Sequence, residues 1–270
     1  MMVTNKKMLL FWGGVFSQWY SNSNYSHLFY ENGLGFYTAE HYMMYHKARL
    51  FKDNRVMEEC LKPHSPEKVK VLGREIKGFN DSNWDKYKLD IVEEGNYLKF
   101  SQNTDLYLVM MKYKHLTLVE ASPYDKIWGI GLAEDNPDAL NTDKWKGQNL
   151  LGKALMNARK RIISLEKISM NKEFKEDILN GYKNQTIRRG MKRGFKIGES
   201  LIEFEDLSKV LVEVKEIIYK RYKDLTNVDA IKDGFRNLEE LQKKLLEIYG
   251  PIKDKETITL VKFSIIGNSN

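Results

Sequence analysis

The chain of 270 residues has one cysteine, Cys60, five prolines and no apolar run long enough to cross a bilayer. A single cysteine excludes disulfides within the chain and leaves a thiolate metal site without its ligands. A half-buried, unreactive thiol is the expected state of Cys60. The other common metal donors are also lacking in pattern: the five histidines form no HExxH pair, and no carboxylate run has the spacing of a calcium loop. No metal or cofactor is therefore expected. Residues 1–10 hold lysines and two leucines but neither the apolar core nor the small-residue cleavage site of a secretory signal. The expected setting is the cytoplasm, with no membrane partner.

What is present is unevenly spread. The formal charge of +7 suits an anionic partner, nucleic acid or a phosphorylated small molecule, without choosing between them. All five tryptophans fall in the first 150 residues, which are also rich in glycine and aromatics. Beyond Leu165 the composition turns to Lys, Glu, Ile and Leu, with one proline, Pro251. The polar segment 163–177 predicts a boundary, giving domains of 1–165 and 166–270.

In the first domain, Lys7 to Trp12 reads as a strand entering a Gly13-Gly14 turn, followed by a polar loop over 17–26. Glu31-Asn32-Gly33 predicts a hairpin. Thr38 predicts the N-cap of a helix carrying Glu40 to Phe51. Asn83 to Glu94 reads as a helix closed by Gly95-Asn96, and Gly147 to Ile163 as another. In the second, Ser200–Glu205, Val210–Tyr219 and Thr257–Ile265 read as strands, with short helices over Val228–Phe235 and Leu238–Tyr249. Such strands interrupted by short helices suggest a small barrel.

Two segments carry most of the chemistry. FYTAEHYMMYHKARLF places Glu40, Met43, Met44 and Lys47 on one helical face by spacings of three, four and seven. About 80 residues on, VEASPYDKIWGIGL sets Asp125 and Trp128 in a turn ending in Gly129 and Gly131. Ionisable groups among aromatic and methionine side chains are costly to bury without a partner. From spacing alone, other readings stand beside a chemical site. Met43, Met44 and Tyr42 are then core, Glu40 and Lys47 a solvated pair, and Asp125 the cap of its own turn. Trp12 and Trp19 are expected in the core, and His41 and His46 as packed or exposed helix residues.

FWGGVFSQWY, TAEHYMMYHKARLF, GREIKGFNDSNWDKYK, GNYLKFSQN, VEASPYDKIWGIGL and WKGQNLLGKALMNAR, in this order, resemble the YbiA-like or NADAR family of N-glycosidases, over roughly Leu10 to Ile163. The resemblance implies hydrolysis of a ribosyl C–N bond, in early riboflavin-pathway intermediates or in ADP-ribosylated guanine, both bearing phosphate. It implies Glu40 and Asp125 as the acidic catalytic residues and Lys47 as a catalytic lysine. A carboxylate near the sugar carbon stabilises its developing positive charge. A desolvated lysine could form a Schiff base with an opened ribose. The helix dipole at Glu40 favours its ionised form, as charge stabiliser or base. Tyr37, Trp84 and Trp128 are candidates to stack on a base, and Arg74, Lys99 and Asn149 to meet phosphate or ribose hydroxyls.

In the second domain, GYKNQTIR with the later DLTNVDAIKDGFRNLEELQKKLLEIYG and TITLVKFSI resembles the ASCH superfamily, small barrels related to the PUA RNA-binding fold. The expected architecture is thus α+β, a mainly helical N-glycosidase domain followed by a small PUA-like β-barrel. Lys183, Thr186, Arg188 and Asp233 are the implied ligand site. Lys183, Arg188, Arg189, Lys192 and Arg193 form a dense basic cluster suited to RNA or DNA phosphates. Asp233 stands where ASCH amidohydrolases often carry glutamate, which favours binding over catalysis there. The competing classes are a non-catalytic ADP-ribose or NAD sensor and an RNA-processing amidohydrolase working through Lys183 and Thr186.

Overall fold

The computed structural model describes residues 2–4, 7–21 and 27–266, so part of the polar loop, 22–26, lies outside the described residues. Two compact units meet in sequence between Ser164 and Leu165. The first opens with β1 (Met2–Thr4), β2 (Met8–Phe11) and the hairpin β3 (Phe29–Glu31) and β4 (Leu34–Phe36). Helices α1 (Ala39–Leu50), α2 (Asn54–Cys60), α3 (Pro66–Arg74), α4 (Asp81–Gln102) and α5 (Thr104–Lys112) follow, then β5 (Thr117–Glu120) and α6 (Leu150–Ser164). Asn32 and Gly33 both take positive φ in the hairpin turn, the conformation that an Asn-Gly pair favours.

The strand order β1-β2-β5 explains why distant segments converge. β2 and β5 run parallel, with Phe11 level with Glu120. Parallel strands release their chains at the same end. Residues 12–21 and 121–131 therefore leave side by side.

Helix α1 shares a cavity with these two segments. Thr38 caps it, its Oγ1 accepting from the His41 amide at 3.3 Å. Its Tyr42 and Tyr45 rings pack on Phe36 of the hairpin at 4.9 and 5.3 Å, and the Tyr42 hydroxyl donates to Glu31 at 2.6 Å. Met43, Met44 and Lys47 face the other way, and Arg49 alone in the helix is exposed.

Helix α4 differs from the expected one: it does not close at Gly95-Asn96 but runs on to Gln102. Gly95 serves packing rather than termination. A Cβ there would lie 2.6 Å from the Tyr42 ring, and that ring is anchored at its hydroxyl. Gly95→Ala is expected to lower stability by about 1–3 kcal/mol through overpacking, although alanine is the better helix former by about 1 kcal/mol. Urea unfolding checks the sign.

The second unit comprises β6 (Glu166–Met170), α7 (Lys175–Leu179), β7 (Gln185–Arg189), β8 (Gly198–Phe204), β9 (Lys209–Arg221), α8 (Asn227–Lys232), α9 (Leu238–Tyr249) and β10 (Thr257–Ile265). They form one sheet of order β6-β8-β9-β10-β7, antiparallel except for β6 with β8. Among the described residues β6 and β7 do not pair with each other, so the curled sheet is a half-barrel rather than a closed one. Alternation along β10 serves two cores. Ile258 and Leu260 join Ala230, Leu241 and Leu245 of the helices, while Val261 and Phe263 join Ile168, Ile178 and Phe204 on the other face. The segment 163–177 is thus not a bare linker, because Ile168 and Met170 turn inward from it.

Candidate active site

A cavity of about 900 Å³ opens in the first unit where the 12–21 and 121–131 segments leave the parallel strands. Its walls are aromatic. Trp84 is buried to 9% exposure, whereas Trp12 is 49% and Tyr124 is 86% exposed, their rings 6.1 Å apart. Trp128 and Trp19 also line the cavity. The expectation that Trp12 and Trp19 belong to the core is therefore corrected. They follow β2 through Gly13 and Gly14, whose positive φ values turn the chain sharply over the cavity.

Three carboxylates face this space. Glu40 is 3% exposed, and burial pushes its carboxyl up to about 7, with Asp125 adding to the rise. Lys70, the Trp19 indole and Lys47 pull the other way. Desolvation therefore outweighs the helix dipole, and near pH 7 Glu40 divides between acid and base instead of standing ionised. Glu120, which sequence reading left unassigned, ends β5 at 8% exposure. Burial and the charge of Asp125 push its carboxyl up to about 8, and its Oε2 has no hydrogen-bond partner. Its signal in the sequence is a glutamate closing the apolar strand Thr117–Glu120, one residue short of Ser122-Pro123. Asp125 lines the cavity while its Oδ1 accepts from the Ile127 and Trp128 amides, each at 2.8 Å. It is at once the cap of its turn and a charge beside the two buried carboxyls.

Lys47 lines the cavity with its ammonium 4.2 Å from the Phe79 ring and 5.7 Å from the Trp84 ring. Desolvation holds its pKa below the usual lysine range. Its Nζ donates to the Gly73 carbonyl at 2.9 Å, one of the carbonyls left open at the end of α3. Gly73 is required there, since a Cβ would collide with the Met44 sulfur. Lys70 and Arg74 of the same helix also line the cavity, and Lys70 Nζ lies 5.3 Å from the Trp19 ring centroid. Among the described residues no cluster of His, Cys, Asp and Glu is arranged to hold a metal ion.

Three candidates do not line the cavity. Tyr37 packs on His41, ring centroids 5.6 Å apart. Lys99, 1% exposed, donates to the Val15 and Ser17 carbonyls at 2.8 and 3.0 Å. Asn149 is buried and ties Glu120 N and Leu118 O to its own amide group, both at 3.0 Å. The polar groups of Lys99 and Asn149 are spent inside the protein. Cys60 is fully rather than half buried, its thiol pushed up to about 12 by desolvation.

The second-unit candidates are also drawn inward. Lys183, 2% exposed, donates to the Asp233 carbonyl at 2.5 Å and pairs with its carboxylate, under the Phe174 ring at 4.4 Å. Thr186 is 1% exposed, and Arg188 donates to the Ser169 carbonyl at 2.5 Å. Arg189 pairs with both oxygens of Glu256. A groove of about 630 Å³ runs past Phe174, Phe235 and Lys244, and Lys183, Thr186, Arg188 and Asp233 do not line it. The dense basic cluster of the sequence is thus only partly a surface feature, with Lys192 and Arg193 exposed.

Known proteins resemble this chain over about half of its length. The N-glycosidase R617 of Acanthamoeba polyphaga mimivirus is 46% identical over 145 residues, 54% of this chain and 85% of the viral protein. The chloroplastic riboflavin biosynthesis protein PYRR of Zea mays is 32% identical over 134 residues, 47% of this chain and 20% of the maize protein. The solved structure of YbiA from E. coli aligns with a TM-score of 0.45 and 24% identity, covering 60% of this chain and 88% of that one. The NADAR domain family matches residues 10–163, which spans the cavity and its three carboxylates. The chain therefore belongs to the NADAR family.

Proposed function

We propose that this chain is an N-glycosidase that hydrolyses a ribosyl C–N bond in a phosphorylated substrate. The observation that carries the reading is the pair of buried carboxyls, Glu40 and Glu120, facing one aromatic-walled cavity with raised pKa values. Two buried carboxyls, both raised toward neutral pH, suit acid–base division of labour. Glu120 protonates the departing nitrogen as the C–N bond breaks. Glu40 in its ionised form stabilises the charge growing on the sugar carbon and takes the proton from the attacking water. Asp125 adds negative charge beside the sugar. The base stacks on Trp84 and Trp128, and Lys70 and Arg74 meet phosphate. Lys47 enters either as a further charge or, once its amine leaves the Gly73 carbonyl, as a Schiff-base nucleophile.

Two substrates fit: a phosphorylated ribosylamine of the riboflavin pathway and ADP-ribosylated guanine. The name of the maize relative favours the first. The second unit enters as a nucleotide- or nucleic-acid-binding module of ASCH type, supported by GYKNQTIR and by exposed Lys192 and Arg193. The test sets the ribosylamine beside an oligonucleotide bearing ADP-ribosylated guanine and measures released base and sugar. Release from at least one is expected. Release from neither, with ADP-ribose still bound, would make the chain a binding protein and overturn the proposal.

A further inference from the structure

β5 is an outer strand of the β1-β2-β5 sheet, and alternate backbone groups of an outer strand have no strand beside them to bond. The Thr117 and Ala121 amides turn to the β2 side, donating to the Lys7 and Phe11 carbonyls at 2.9 and 2.8 Å. The Leu118 carbonyl and the Glu120 amide turn the other way, and one side chain takes both. Asn149 accepts from the Glu120 amide through Oδ1 and donates from Nδ2 to the Leu118 carbonyl, each at 3.0 Å. A carboxamide carries the acceptor and the donor of a peptide group. Asn149, 2% exposed, thus stands where a fourth strand would begin. Its φ of +51° is a conformation in which asparagine is enriched severalfold. Gly152 leaves the room that the carboxamide needs, since a Cβ there would lie 2.5 Å from both Nδ2 and Oδ1.

On the reading of the cavity as an active site with Glu120 as its acid, we propose that Asn149 is a positioning residue. Its carboxamide locks the end of β5 so that the Glu120 carboxyl stays buried against the cavity. Glu120 is held at both of its backbone groups, because its carbonyl accepts from the Ile130 amide at 2.9 Å. Its carboxyl Oε2 has no hydrogen-bond partner, so the backbone, not a bond to that oxygen, sets where it points. The backbone of Asn149 ties in the neighbouring loop as well. Its amide donates to the Gly129 carbonyl at 3.1 Å, and those of Gln148, Leu150 and Leu151 donate to Lys126, Ile127 and Trp128 at 2.9, 3.2 and 3.0 Å. The first amides of α6 are thereby spent on the turn that carries Asp125 and Trp128. The charges around Glu120 belong to other segments: Asp125 to the loop after β5, Glu40 and Lys47 to α1, and Lys70 and Arg74 to α3. None of these is altered by a change at 149.

Asn149→Gly keeps the left-handed backbone at no steric cost and removes the carboxamide. The full chain without substrate is titrated by carbon-13 NMR, the two carboxyl resonances assigned by their loss in Glu120→Gln and Glu40→Gln. With the strand end released, water reaches the Glu120 carboxyl. Its midpoint is expected to fall from about 8 toward the ordinary carboxyl range, by about one pH unit or more. The Glu40 midpoint, set on α1, is expected to stay at the parent's value. A Glu120 midpoint equal to the parent's, or equal shifts of both carboxyls, would overturn the proposal. Should Asn149→Gly not fold, hydrogen exchange in the parent chain decides. The Glu120 amide is expected to exchange as slowly as amides bonded within the sheet. Exchange at the rate of an exposed loop amide would remove the bond to Asn149 and the proposal with it. No turnover is read, so failure of the N-glycosidase assay is separable from failure here.

Discussion

Glu40→Gln is expected to lower turnover by on the order of a thousandfold while making the folded first unit more stable at pH 8. The two effects have one cause. The fold raises the Glu40 carboxyl from 4.5 to about 7, so the folded state holds this proton more tightly than the unfolded chain does. The associated stability is complete below pH 4.5 and is lost as pH rises through 7. At pH 8 the wild type carries an ionised, desolvated carboxylate at a cost of about 3 kcal/mol, which a neutral amide does not incur. Urea unfolding followed by tryptophan fluorescence measures it, since all five tryptophans precede the second unit. The advantage of the variant should grow from pH 5 to pH 8. An advantage that is the same at both values would contradict a desolvated Glu40.

Lys183→Met is expected to destabilise the second unit by about 3–5 kcal/mol. The loss comes less from the broken pair than from the carboxylate left behind. Asp233 is 4% exposed, next to Gly234 and Phe235, and would face apolar side chains as an uncompensated charge. Replacing both members, Lys183→Met with Asp233→Asn, should restore most of the loss, because no buried charge remains. Circular dichroism follows both units, and a transition silent in tryptophan fluorescence belongs to the second. A single variant as stable as its parent would show that the pair is solvated, and would return Lys183 to the candidates for ligand binding.

Local signals in the sequence suffice where the chain decides its own conformation. Thr38 caps α1 and the Asn32-Gly33 turn closes the hairpin, because capping and positive φ are properties of a few adjacent residues. Gly95 departs from the expected helix end for the complementary reason. Its lack of a side chain answers to Tyr42, 53 positions away in the chain and on another helix, and composition around Gly95 carries no trace of that ring. The cavity shows the same division. Glu40, Lys47, Arg74, Trp84, Asp125 and Trp128 line it. Lys99, Asn149 and Lys183 instead spend their polar groups on backbone carbonyls or a buried partner. A motif records that a residue type is needed at a position. It does not record whether the residue faces a substrate or holds up the wall behind it. Glu120 looks like an ordinary strand-ending glutamate until β2 is laid parallel to it and its buried Oε2 is left without a hydrogen-bond partner.

Helix α1 presents one side to the cavity and the other to the β3–β4 hairpin, and Arg49 is its one exposed residue. Such a helix has no neutral flank on which random substitution can accumulate. A change on the hairpin side, at Tyr42 or Tyr45, tilts the segment that carries Glu40 and Lys47, so selection for catalysis reaches residues that never meet substrate. The packing of the fold and the lining of the cavity are thus written in the same dozen letters, whereas Trp12, Trp19 and Tyr124 at the rim are exposed and lie outside that helix.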